Sequence, residues 1–254
     1  EILSNNIEKA LNLINLDPAS SRYGYADRDY WAWKTKDFVN ATMQGVVHSL
    51  AIAYKIGVYT NKNFLLEILD AVIIATKKIT SRNGGLQEAY PNENSFCVTS
   101  IVAFDFLSAI DHLQDIIDPD SKKKYLEIIR PFIHFISRND EVHAVISNHL
   151  ATGVAAILLW NKLTGEDNER YKELLEVIYE NQSGEGWFKE YEGADPGYQT
   201  LCTYYLASAY HELKDSELKD RLIKSAEFLK YFIHPDGSIG GLYGSRNTEV
   251  YYPG

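Results

Sequence analysis

Ser183-Gly-Glu-Gly-Trp-Phe-Lys-Glu-Tyr-Glu-Gly-Ala-Asp-Pro-Gly-Tyr-Gln-Thr-Leu-Cys-Thr-Tyr-Tyr-Leu-Ala-Ser-Ala-Tyr210 is a glycine-punctuated loop that opens directly into an apolar helix. Asp195 stands where an N-cap is expected and Pro196 where the first helical residue is expected, so the helix should run to about Leu213. The design recurs along the chain. Tyr23-Gly-Tyr-Ala-Asp-Arg-Asp-Tyr-Trp31 leads to a helix from Phe38, and Asn83-Gly-Gly-Leu-Gln-Glu-Ala-Tyr90 to one from Ser95. Ser137-Arg-Asn-Asp-Glu-Val-His143 leads to one from Ser147, and Asp236-Gly-Ser-Ile-Gly-Gly-Leu-Tyr-Gly244 leads toward Thr248. Thr42, Thr99, Thr152, Thr200 and Thr248 mark the register at intervals of about 50 residues, the period of a stacked supersecondary unit.

The unit is a helical hairpin. Helices expected over Phe38–Ile56, Phe96–Leu113, Asn148–Leu163 and Tyr198–Leu213 are apolar nearly all round, as in Ala151, Ala155, Ala156, Ile157, Leu158 and Leu159. Such helices are buried on most sides. Those expected over Glu1–Leu16, Lys62–Ile79, Pro119–Ile136, Asp167–Tyr179 and Ser216–Phe232 are amphipathic, hence outer and half-exposed. Inner helices alternating with outer ones predict an all-α fold, an α/α toroid of repeated helical hairpins. Four to five hairpins make the ring incomplete, over a single domain of residues 1–254. Inner-to-outer connections are short and outer-to-inner ones long, so the long loops should gather at the N-termini of the inner helices, where a ligand groove is expected. The chain begins at Glu1, not Met, and stops where the repeat calls for another helix, so it reads as a piece of a longer polypeptide.

Composition narrows the function. A 45% apolar content over 254 residues supports a sizeable core. The net charge of −10 argues against general nucleic-acid binding, which neutralises phosphates with Lys and Arg, and there is no polybasic or transmembrane-length stretch to engage a membrane. Cys97 and Cys202 make no disulfide framework and read as buried thiols. No Cys-x-x-Cys, His-Glu-x-x-His, P-loop or Gly-x-Ser-x-Gly occurs, so neither metal nor cofactor is called for.

The loops carry the chemistry. Trp31, Trp33, Trp187 and Tyr30 offer faces on which sugar rings stack, and Arg28, Lys34 and Arg246 offer donors for carboxylate or sulfate. Acids in the same loops are Asp27, Asp29, Asp37, Glu88, Glu190, Asp195 and Glu249; Asp37 and Asp195 are accounted for as helix caps. Asn40 and Gln44, one turn apart at the start of an inner helix, face either a ligand or a buried network. Asn148 and His149 open another inner helix just after His143, and a neutral His there suits a proton-transfer base.

Repeated hairpins with Gly-rich aromatic entry loops resemble the α/α-toroid carbohydrate-active enzymes, nearest the heparinase II/III-like and alginate-lyase type polysaccharide lyases. At motif level the resemblance rests on Ser147-Asn148-His149 and on Arg28-Asp-Tyr-Trp-Ala-Trp-Lys34. It implies an acidic, uronate-containing polysaccharide or oligosaccharide, with abstraction of the C5 proton and β-elimination of the leaving oxygen. Asn148 would neutralise the carboxylate, His149 act as base, and Tyr30, Tyr191 or Tyr198 as acid. Such lyases usually carry a β-sandwich domain too, for which this sequence shows no counterpart. Six-hairpin glycosidases share the toroid and would use carboxylates such as Glu88, Asp29 or Glu190. Terpenoid-cyclase and prenyltransferase toroids also have Gly-rich entry loops, but no Asp-x-Asp-Asp motif is present. A glycan-binding or assembly domain is the non-enzymatic alternative.

Overall fold

The computed structural model describes residues 2–28 and 38–238, with the side chains of residues 2–5 left out of the account. The chain divides into two compact units, Glu1–Asn139 and Asp140–Gly254.

The first unit holds α1 (Ile2–Leu11), a 3₁₀ turn (Ala41–Gly45), α2 (Val46–Ile56), α3 (Lys62–Ile79), α4 (Phe96–His112) and α5 (Pro119–Arg138). Helix α4 buries Phe96, Val102, Phe104, Phe106, Leu107 and Ile110 and packs on α2 and on α5. The outer helix α5 instead buries one stripe, Tyr125, Ile128, Ile129, Phe132, Ile133 and Ile136. The second unit holds α6 (Ser147–Thr164), α7 (Arg170–Glu180), α8 (Pro196–Leu213) and α9 (Ser216–Leu229), the last running into a 3₁₀ turn at Lys230–Phe232. Here α6 packs on α7 and α8, and α8 on α9. Helix starts follow side-chain capping of orphan N–H groups: Ser95 accepts from Val98, Asp118 from Asp120 and Ser121, and Asp195 from Tyr198.

Three of the boundaries that differ from the periodicity have their cause in named contacts. Helix α1 stops at Leu11 because the backbone beyond it pairs with the entry loop, Asn15 N–H donating to the Tyr25 carbonyl and Asp27 N–H to that of Leu13. The helix expected from Phe38 begins as the 3₁₀ turn, with Asn40 Oδ1 accepting from Thr42 N–H and the Gln44 amide drawn onto Ala26. Helix α7 begins at Arg170, not Asp167, because Asn168 is held by reciprocal bonds with Asn161 and itself accepts from Arg170 N–H.

The entry loops share one construction. Gly24, Gly84 and Gly186 have φ of +83°, +92° and +103°, a region that favours glycine. A Cβ at these positions would lie 2.4 Å from the carbonyl oxygen of Ala71 in α3, 2.1 Å from that of Pro131 in α5 and 2.2 Å from that of Lys224 in α9. Two residues on, Ala26, Leu86 and Phe188 are fully buried. Their N–H groups donate to a polar side chain at the start of the next inner segment: Ala26 to Gln44 Oε1 (3.4 Å), Leu86 to Thr99 Oγ1 (3.0 Å) and Phe188 to Gln199 Oε1 (2.8 Å). Each loop is therefore clamped between both helices of the hairpin it leads into. The loop into α6 has no such glycine; there Arg170 of α7 pairs with Asp140 instead.

Substitution tests the clamp. Gly186→Ala should cost about 3 kcal/mol or more, since strained backbone and a blocked carbonyl act together. Gly165→Ala has positive φ but nothing within 4 Å, and should cost only about 1 kcal/mol. Urea midpoints of the two variants measure the difference; equal shifts would show that the carbonyl contact is unimportant.

Candidate functional site

The unclamped loop into α6 carries a carboxylate locked by two histidines. Glu141, its side chain 3% exposed, accepts from His143 Nδ1 and from His149 Nδ1, each at 2.6 Å, and from the His143 backbone N–H at 3.1 Å. Burial pushes this carboxyl up, but the bonds from His149 and His143 outweigh it and hold the group down at about 2. An ionised Glu141 fixes the proton of His149 on Nδ1 and leaves Nε2 as the basic nitrogen. His149 lies in the first turn of α6 with 18% of its side chain exposed.

A second carboxyl lies beside the first turn of α6. Glu190 is 4% exposed, and its oxygens accept from Asn148 N–H at 2.9 Å and Asn148 Nδ2 at 2.7 Å. Burial pushes Glu190 up to about 8, the Asn148 donors pulling back and the charge of Asp195 pushing further. It keeps its proton at neutral pH, the reverse of Glu141. Two backbones place the pair. Ile146 bridges Glu190, Ser147 N–H and Oγ both donate to the Lys189 carbonyl, and Tyr191 N–H donates to that of Val145 at 3.1 Å. Tyr191 sits at φ +57° with its ring half exposed. A cavity of about 210 Å³ adjoins Glu141, walled by Val145, Leu150, Arg170 and Leu174.

Of the residues singled out in the sequence, His143, Asn148, His149, Glu190 and Tyr191 are thus brought together. Trp187 lies on the same loop, half-buried, its Nε1 donating to Glu185. Tyr198 stands half-buried in the first turn of α8. One N–H of the Asn148 amide donates to Glu190 Oε2 at 2.7 Å. Gln44 and Asn40, read as facing either a ligand or a buried network, take the buried position. Gln44 is fully buried with its amide on the Ala26 backbone, and Asn40 is fully buried as the cap of the 3₁₀ turn; both belong to the buried network. Glu88 lies in a first-unit turn closed by Glu93, whose Oε2 accepts the N–H groups of Glu88, Ala89 and Tyr90. Arg28 is half-buried beside Asp27, which accepts its backbone N–H. Tyr30, Trp31, Trp33, Lys34 and Arg246, with Asp29, Asp37, Thr248 and Glu249, lie outside the described residues.

Two features escaped the sequence reading. Glu141 was overlooked, though an acid in the one glycine-free entry loop was its signal. In the first unit His48 Nδ1 lies 3.1 Å from Asp105 Oδ1, and its Nε2 3.3 Å from His112 Nε2. Gly45 admits this cluster, since a Cβ there would meet Asp105 Oδ2 at 2.2 Å. Burial pushes Asp105 up and the His48 bond pulls it back in part. The signal was the seven-residue step from Asp105 to His112, two turns on one helical face. Among the described residues, no three His, Cys, Asp or Glu side chains form a metal-ligand set, and no helix is long and apolar enough to cross a membrane.

No protein-family model matches the chain, and no curated protein matches it in sequence. Solved structures match it in fold. D-mannose isomerase aligns at TM-score 0.59 and 13% identity, covering 80% of this chain and 62% of that one. A family 76 glycoside hydrolase from a bovine Bacteroides thetaiotaomicron strain aligns at 0.66 and 9%, covering 91% and 56%. A polysaccharide lyase aligns at 0.61 and 13%, covering 98% and 81%. The chain thus spans less than two thirds of the first two. The likenesses establish an all-α fold of the α/α-toroid type.

The opposed carboxyls make a pH test. Glu190, ordinarily near 4.5, titrates at about 8 in the folded unit. Its contribution to stability is complete below 4.5 and is lost as pH rises toward 8, by at most about 1.4 kcal/mol per unit. Glu141 acts with the opposite sign: its contribution is present above 4.5 and lost as pH falls toward about 2. Glu190→Gln should therefore gain on wild type with rising pH between 5 and 8 in urea unfolding, a window set by the Glu190 shift. Parallel profiles would mean that Glu190 is already ionised at neutrality.

Proposed function

We propose that the chain is a carbohydrate-active enzyme acting on an acidic, uronate-containing saccharide by β-elimination, in the manner of the heparinase II/III-like and alginate lyases. The observation that carries the reading is the Glu141–His149 contact, which leaves His149 Nε2 as base. His149 Nε2 takes the C5 proton of a uronate. The C4–O bond breaks as the C4–C5 double bond forms, and the departing oxygen takes a proton from the hydroxyl of Tyr191, half exposed on the adjoining loop. Glu190, held in its acid form, donates a hydrogen bond to the uronate carboxylate and offsets the charge that develops there. Asn148 acts through Glu190 as a positioning residue.

A hydrolase is the second reading, favoured by one observation: carboxyls at about 2 and about 8 are the split expected of a base and an acid. It fares less well because the Glu141 side chain, 3% exposed and held by His143 and His149, presents little surface to water or an anomeric carbon. The structural relatives include both a polysaccharide lyase and glycoside hydrolases, and so support a saccharide substrate without choosing between them.

The test follows the ultraviolet absorbance of unsaturated uronate over a panel of uronate polymers. Wild type should give a rising signal and His149→Ala should lose about 10²–10⁴-fold of it. Glu141→Gln should lower kcat with little change in KM, because the His149 ring loses the carboxylate that holds its proton on Nδ1. A flat trace with every polymer, or a His149→Ala variant as fast as wild type, sinks the elimination.

A further inference from the structure

The first unit contains a cleft of about 610 Å³ whose charged lining residues are Arg22, Lys78 and Arg82, with Tyr25 and Phe38 as ring walls and Gln87 as an amide. In a chain of net charge −10 this is a local reversal, and among the described residues no carboxylate lines the cleft. Arg22 is partly compensated, lying 3.5 Å from Asp27 Oδ2 and 5.9 Å above the Tyr25 ring. Lys78 sits in the last turn of α3, where a cation also offsets the helix dipole. Arg82 lies beyond that helix and has no such explanation. Its turn is rigid: Ser81 N–H donates to Gly85, Gly84 N–H donates to Ser81, and Gly84 rests on the Pro131 carbonyl. The opposite wall is tied on by Ala41 N–H donating to the Gln87 carbonyl at 3.0 Å. Burial holds the Tyr25 phenol above its usual range, so it stays a donor. The cleft thus offers hydrogen-bond donors and ring faces together, the combination that takes a carboxylate or sulfate on a sugar ring.

We propose that this cleft is a second, non-catalytic site that binds a carboxylated or sulfated saccharide. Its preference for anions rests on the cleft alone; the choice of a saccharide over a simple anion rests on the reading of the chain as carbohydrate-active. Calorimetry would use tetragalacturonate, a chondroitin sulfate tetrasaccharide, cellotetraose and inorganic sulfate, on wild type, the Lys78→Gln/Arg82→Gln double variant and His149→Ala. Hydrogen exchange would locate the ligand. An acidic probe should bind wild type, weaken with salt, lose at least tenfold in affinity in the double variant, and protect amides of residues 78–87. His149→Ala should bind as wild type does; loss of turnover in that variant bears only on the elimination. The proposal is overturned by equal affinity in wild type and double variant, by cellotetraose binding as well as the acidic probes, or by no acidic probe binding. Sulfate occupying the cleft as tightly as the saccharides would reduce it to a simple anion site and overturn the saccharide assignment.

Discussion

A glycine in the left-handed region, lying on the carbonyl of an outer helix, is the constraint on which the hairpins depend. At Gly24, Gly84 and Gly186 the backbone approaches too closely for any side chain. That approach brings the residue two positions on into the core, where its N–H would be orphaned without a partner. Gln44, Thr99 and Gln199 supply the partner from the inner segment. One turn thereby satisfies its buried donor and sets the spacing of two helices. The polar side chains at the starts of the apolar helices are part of the core's hydrogen-bond accounting, and their burial follows from it.

The loop into α6 is built otherwise, and it carries the Glu141–His149 contact. Without the glycine contact it is held by Arg170 on Asp140 at one end and by the Ser147–Lys189 and Tyr191–Val145 bonds at the other. It rests on a neighbouring loop as well as on the outer helix α7. That arrangement sets Glu141 among three N–H donors, two of them cationic when protonated, and sets Glu190 against a neutral amide with Asp195 nearby. The same functional group is driven in opposite directions by partners a few residues apart in sequence.

Local signals made the framework legible. Caps at Ser95, Asp118 and Asp195, the Pro at the start of α8 and the alternation of apolar and amphipathic helices all act within one turn of themselves, so the sequence exposes them. The start of α2 was misread because its 3₁₀ turn depends on Gln44 meeting Ala26, a tertiary contact. The site was half legible for the same reason. Asn148, His149 and Glu190 stood out as polar residues in apolar or loop settings, but the Asn148–Glu190 bond spans 42 residues and the His48–Asp105 contact 57. No periodicity encodes a pairing at that distance. Glu141 looked like one more loop acid, since what distinguishes it is the pair of imidazoles that converge on it.

Keeping Glu190 in its acid form has a consequence for the unit that holds it. A buried carboxyl that retains its proton at neutral pH destabilises the folded state relative to a solvated one, and replacing it with an apolar side chain would leave the Asn148 N–H and amide without acceptors. The group is therefore neither cheap to keep nor simple to remove, which is the usual condition of a residue held for its chemistry. Glu141 works the other way, adding stability over the neutral range in which Glu190 subtracts it. The two carboxyls share one pair of loops, so the ionised one helps to hold the backbone that keeps the other dry.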